Sequence, residues 1–221
     1  MPQFFLELFG EEIPARMQVK AAEDLCRLLA TGLTEAGVTF SHTASYVTPR
    51  RLVVTIDGLP VVQSDRTVER KGPRIDAPPN AIEGFLRSAE TTLDVCEKRD
   101  IKGVTFLFSS KTVKGQATTD LLAELIVKSI REFPWPKSMK FGAQTQTWVR
   151  PLHSIIALFD NKVVPGSIDM GGGKSLTFGA TTWGHRFMSP ASFTVDGFSR
   201  LRTKASENSC HFELARKSNR S

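Results

Sequence analysis

Apolar and polar positions along this chain alternate between two periods, one of strands and one of helices. Residues 3–9, Gln-Phe-Phe-Leu-Glu-Leu-Phe, form an apolar run holding one carboxylate and predict a strand. Gly10-Glu11-Glu12-Ile13-Pro14 ends it, and Pro14 suits the first turn of a helix. From Ala15 to Ala36, Met17, Ala21, Leu25, Leu28, Leu29 and Leu33 recur at helical spacing, and Gly37 stops the run. Thr48-Pro49-Arg50-Arg51 leads into the β-rich Leu52-Val53-Val54-Thr55-Ile56, with Pro49 at the strand entry because proline cannot donate to a sheet.

Residues 58–79 are polar and rich in proline and glycine, and read as a strand-edge segment followed by a loop. Ala81–Ala89 is a short helix candidate, and Gly103–Lys111 a strand. A second amphipathic helix covers Thr118–Phe133, with Leu121, Leu122, Leu125, Ile126 and Ile130 on one face. It ends at Pro134-Trp135-Pro136, since a residue before proline is pushed out of helical geometry. Leu152–Phe159 is a strand, Asp160-Asn161-Lys162 a turn, and Leu176–Phe187 supplies one or two further strands.

Strands and helices are interspersed without regular βαβ alternation, so the fold class is α+β. The expected architecture is mixed, largely antiparallel sheets with two main amphipathic helices, of the accessory-domain type. The expected division is a strand–helix–strand unit over residues 1–65, a second α+β unit over 66–197, and a basic, disordered tail over 198–221.

Charge changes this picture little. The tail carries six cations against Glu207 and Glu213, which accounts for most of the net charge of +6. A basic tail attracts nucleic acid without specificity, and charge alone does not make an RNA binder. No stretch approaches the roughly 20 apolar residues a membrane helix needs, and the N-terminus lacks a signal pattern, so the expected compartment is the cytoplasm. Cys26, Cys96 and Cys210 lie far apart with no CxxC spacing; they read as isolated reduced thiols, Cys26 as a core filler.

Familiar reaction motifs fail on inspection. Gly173-Lys174-Ser175 lacks the glycine that a phosphate loop needs five residues before its Gly-Lys, where Ile168 stands. His42, His153, His185 and His211 have no partners at metal-ligand spacing. Glu11 and Glu12 are neighbours that point different ways, and read as favouring the positive end of the helix that follows. No catalytic residue, metal ligand or cofactor site is expected in this chain.

What remains is a set of clusters in which proline or glycine holds a cation near a strand end: Thr48–Arg51, Arg70–Pro73, Pro136–Gly142, Arg150–His153 and Gly184–Phe187. Their order and spacing, together with Leu6–Pro14, resemble the β subunit of the heterotetrameric bacterial glycyl-tRNA synthetase. Glu11-Glu12-Ile13-Pro14 is similar to that family's Glu-Glu-Leu-Pro, and Thr48-Pro49-Arg50-Arg51-Leu52 matches its Thr-Pro-Arg-Arg-Leu. Lys71-Gly72-Pro73 resembles Lys/Arg-Gly-Pro, and Pro136–Gly142 resembles Pro-Lys-x-Met-Arg-Trp-Gly. Arg150-Pro151-Leu152-His153 is similar to Arg-Pro-x-His, and Gly184-His185-Arg186-Phe187 to Gly-His-Arg-Phe. Phe9-Gly10 departs from the family's Gly-Thr, and Lys140-Phe141 from its Arg-Trp. The resemblance spans residues 4–188 and stops near 197, which marks the chain as a truncated N-terminal portion of such a subunit.

The resemblance implies a non-catalytic part of an ATP-dependent glycine–tRNA ligase. The α subunit uses ATP and activates glycine; the β subunit binds glycine tRNA. Expected partners are that α subunit, tRNA(Gly) and the remainder of the β subunit. Arg50, Arg51, Lys71, Lys137, Lys140, Arg150 and Arg186 are the candidate RNA contacts, since phosphate contacts position an RNA without reading its sequence. Two other readings stand beside it: a scaffold that touches no RNA, in which each arginine has a carboxylate partner, and a tRNA-editing hydrolase, which needs a polar pocket holding a perturbed titratable group.

Overall fold

The computed structural model describes residues 2–89, 92, 96–101, 104–207 and 213–219. The chain divides into two units, one built from residues 1–63 with 116–221 and the other from 64–115. This differs from the expected boundaries at 65 and 197. The second unit is an insertion, and the strands that follow it return to the first sheet, a long-range pairing that local periodicity does not report.

In the larger unit, β1 (Gln3–Gly10) is followed by α1 (Ala15–Glu35), β2 (His42–Thr48) and β3 (Arg51–Asp57). The insertion supplies β4 (Arg66–Arg74), α2 (Pro79–Ala89), β5 (Glu97–Ile101) and β6 (Val104–Val113). The larger unit resumes with α3 (Thr118–Arg131), β7 (Leu152–Phe159), β8 (Lys162–Val163), β9 (Ser167–Gly171) and β10 (Lys174–Gly179). It closes with β11 (Thr181–Trp183), β12 (Ser192–Thr194), α4 (Phe198–Glu207) and β13 (Glu213–Asn219). The class is α+β, with antiparallel pairing throughout except between β10 and β7.

The main sheet runs β13-β2-β3-β1-β7-β10-β9, with β8 paired to β7. Its central strand β1 is buried on both faces, which explains the nearly continuous apolar run that encodes it. Phe4, Leu6 and Leu8 point to the face covered by α1 and α3, where they meet Leu25, Leu29, Leu33, Leu122 and Ile126. Cys26 belongs to this core. Phe5, Glu7 and Phe9 point to the opposite face by the same alternation. There Phe5, Val53, Ile156 and Leu158 pack with Val195, Phe198 and Leu201.

The expected disordered tail is therefore corrected. Residues 198–207 form α4, whose Phe198 and Leu201 are buried; Phe198 stacks on Tyr46 at 4.3 Å between ring centroids. Backbone pairing of β13 with β2 extends the sheet edge. Phe198 and Leu201 lie on one helix face because they are three positions apart. Cys210 and His211 lie outside the described residues.

The smaller unit is a three-stranded antiparallel sheet, β4-β6-β5, with α2 against β4. Within residues 58–79, expected as a strand-edge segment followed by a loop, Arg66–Arg74 form β4, whose register shifts between Lys71 and Arg74. Pro73 is accommodated there because β4 is an edge strand. Arg70 Nη1 donates to Ser88 O at 2.8 Å and ties the helix end to the sheet.

A candidate nucleic-acid interface around Glu11

The end of β1 is where the separate motif segments meet. Gly10 N donates to Arg50 O at 2.9 Å, Glu11 N to Pro151 O at 3.0 Å, and Ile13 N to Pro49 O at 2.7 Å. Residues 10–13 are thus laced between the Pro49-Arg50 turn and the Arg150-Pro151 turn. Gly10 is required by that closeness: a Cβ at this position would lie 2.7 Å from Pro151 O. Arg50 Nε completes the lacing with a 2.9 Å hydrogen bond to Gly10 O.

Glu11 is the hub of the side chains. Its Oε1 accepts from His153 Nε2 at 2.9 Å and faces Arg50 Nη2 at 3.7 Å. Its Oε2 accepts from Arg186 Nη1 at 3.4 Å. The hydrogen bond from His153 is the main cause holding the Glu11 carboxyl below the usual carboxylate range; burial opposes it, and the nearby charges, that of Arg50 first, add to the lowering. Glu11 therefore clamps four motif segments. It does not serve the start of α1, whose first turn carries no acidic residue.

Beneath this layer lies a second, buried one. Glu7 and Arg51 face each other at 3.3 Å between Oε2 and Nε, and both are almost fully buried. Thr182 Oγ1 donates to Glu7 Oε1, and Arg51 Nη2 donates to Trp183 O. Burial pushes the Glu7 carboxyl above its ordinary range, with Arg51 and the Thr182 hydroxyl opposing it. The two layers share aromatic packing. Arg50 and Arg51 each place Cζ 4.6 Å from the Phe9 ring centroid, and Trp183 stacks on Phe9 at 5.5 Å.

The remaining motif residue of this end sits on a hairpin. β11 and β12 pair across the connection 184–191, and Gly184 N donates to Ala191 O at 3.0 Å. His185 Nδ1 accepts from the backbone N–H groups of Phe187 and Met188 at 3.3 and 3.2 Å, which fixes the turn. Arg186 leans back to Glu11 while Phe187 and Met188 stand in solvent, 82% and 71% exposed.

The structure thus brings Arg50, Arg51, Arg150 and Arg186 to one end of the larger unit. Arg51 is corrected as an expected RNA contact: with 2% of its surface exposed, its guanidinium faces a carboxylate and a carbonyl. Arg150 turns Nη1 to Val149 O at 3.1 Å. Lys137 and Lys140 are exposed in the stretch between α3 and β7, which is pinned by paired hydrogen bonds between Met139 and Trp148. Lys71 belongs to the smaller unit, with Nζ 3.8 Å from the Phe106 ring centroid. Sequence reasoning missed Glu7, Thr182 and Trp183, and misread Glu11. Their partners are at least 39 positions away, so no spacing signals them.

Among the described residues no group of three or more His, Cys, Asp and Glu side chains is arranged to hold a metal ion. No described helix is long and apolar enough to cross a membrane. The fold and this end of the sheet define an α+β region in which three of the basic motifs, those of Arg50, His153 and Arg186, are gathered on one carboxylate. The chain belongs to the glycyl-tRNA synthetase beta subunit family, which it matches over residues 4–220. The match runs past the expected limit near residue 197 and includes α4 and β13. The chain is 47% identical over 208 residues to the glycine–tRNA ligase beta subunit of Cereibacter sphaeroides, covering 92% of this chain and 29% of that one. It is 46% identical to the same subunit of Paracoccus denitrificans (92% and 30%) and 44% identical to that of Phenylobacterium zucineum (90% and 28%). The chain spans less than a third of the length of these curated relatives.

Proposed function

We propose that this chain is an accessory region of the β subunit of a glycine–tRNA ligase, supporting tRNA binding and assembly with an α subunit during ATP-dependent glycylation of tRNA. Family membership over residues 4–220 carries the reading. The geometry supports a division of labour among the cations. Arg50 and Arg51 hold the fold together through Glu11 and Glu7, whereas Lys137 and Lys140 keep their heads in solvent and Arg186, though it reaches Glu11, stays half exposed, where phosphates reach them.

The test uses full-length β subunit with its α subunit and glycine tRNA. Lys137→Glu with Lys140→Glu is expected to weaken tRNA binding and flatten its dependence on salt, with melting temperature unchanged; Arg186→Glu is expected to weaken binding likewise, but with some loss of melting temperature because it sets a second carboxylate beside Glu11. Unchanged tRNA affinity in both variants would refute direct contact. That result would favour the scaffold reading, to which the carboxylate partners of Arg50 and Arg51 already lend weight.

A further inference from the structure

The hairpin connection 184–191 is built to present something. An 82% exposed phenylalanine and a 71% exposed methionine are costly to leave in water, because their apolar surface gains by burial. Disorder does not account for them, because the turn is fixed from inside. The His185 ring accepts two backbone N–H groups, and Ser189 N donates to His185 O at 3.0 Å. The ordering cost of holding Phe187 outward is therefore met before any partner arrives.

Cations and aromatic rings interleave around this turn. Arg186 Cζ lies 5.7 Å from the Phe187 ring centroid and His185 lies 6.3 Å from it. Trp183, at the start of the connection, stacks on Phe9, which itself carries two guanidiniums. Arg50 and Arg150 on the laced segments and Arg186 on the hairpin stand at this end of the unit against Glu11 and Glu12, three guanidiniums against two carboxylates. An apolar protein pocket would be matched by the rings alone. Rings set among cations match a nucleotide, whose base stacks on a ring while its phosphate meets a guanidinium.

We infer that Phe187 is a stacking platform for an unpaired base of RNA, with Arg186 directed to the adjoining phosphate. A base inside a duplex has no free face, so the ligand is a single-stranded segment. This rests on the proposed tRNA-binding role and goes beyond it by naming the nucleotide state and the contacting ring.

The experiment again uses full-length β subunit with its α subunit. Phe187→Ala is expected to weaken tRNA binding at least about fivefold, as removal of one base stack does, while Phe187→Trp retains it. With p-benzoylphenylalanine in place of Phe187, irradiation is expected to crosslink the subunit to an unpaired nucleotide of the tRNA. Crosslinking to polypeptide alone, or no crosslink to RNA, would overturn the inference, as would tRNA affinity unchanged in Phe187→Ala. If the unsubstituted complex binds tRNA in the same assay, those results remove this inference and leave the accessory tRNA-binding role standing. If the unsubstituted complex binds no tRNA, both fall together.

Discussion

Glu11 Oε1 accepts a 2.9 Å hydrogen bond from His153 Nε2, joining residues 142 positions apart. The same carboxylate faces Arg50 and Arg186, so one side chain from the end of β1 ties together turns contributed by three other parts of the chain. Its consequences for stability are measurable.

Replacing Glu11 by Gln removes the charge but keeps the shape. A loss of about 1 kcal/mol is expected at neutral pH, modest because the carboxylate is partly exposed and its ion pairs are screened. The Glu11 carboxyl is held below its ordinary value of 4.5, so its stabilisation is present above that pH and is lost as pH falls through the lower folded-state value. Chemical denaturation at neutral pH and at successively lower pH checks this: the gap between wild type and Glu11→Gln should close on acidification.

The buried pair behaves in the opposite sense. Removing Glu7 alone leaves Arg51 inside without its carboxylate, and Glu7→Leu is expected to cost about 3–5 kcal/mol. The double variant Glu7→Leu with Arg51→Leu should recover most of that loss, because apolar replacement of both partners removes the desolvation cost. Burial raises the Glu7 carboxyl above 4.5, so its favourable contribution is complete below that pH and is lost as pH rises through the raised value. Relative to the double variant, wild type should therefore be most stable in acid. Denaturation midpoints of the three proteins across pH decide it.

Gly10→Ala places a methyl group 2.7 Å from the Pro151 carbonyl oxygen, a backbone atom held in place by the lacing. The two turns must separate, at a cost of about 2 kcal/mol. Thermal melting should show the loss, and amide exchange should rise at Glu11 and Ile13 before it rises in the sheet centre.

Phe198→Ala tests α4. The side chain is buried against Phe5 and Tyr46, and its truncation is expected to cost about 3 kcal/mol. A solvated tail would give no change in melting temperature.

The sequence by itself determined the elements whose evidence is local. β1, α1, α3 and β7 are spelled out by apolar spacing, because a strand buried on two faces and a helix buried on one each impose a period on neighbouring residues. The basic motifs were also legible, since proline and glycine mark their turns. What each cation does was decided by the tertiary structure. Arg50 and Arg51 are adjacent in sequence, yet one meets Glu11 and the other Glu7, because Arg51 opens β3 opposite Phe9, on the sheet face that Glu7 shares, whereas Arg50 stands in the preceding turn laced to Gly10 beside Glu11. α4 escaped for a related reason: its sequence is basic and, among its described side chains, Phe198 and Leu201 reach the core, so its order comes from the sheet face it covers rather than from its own composition. Local spacing fixes which residues share a face; which distant face they meet, and at what distance, is set by the packing of the whole sheet.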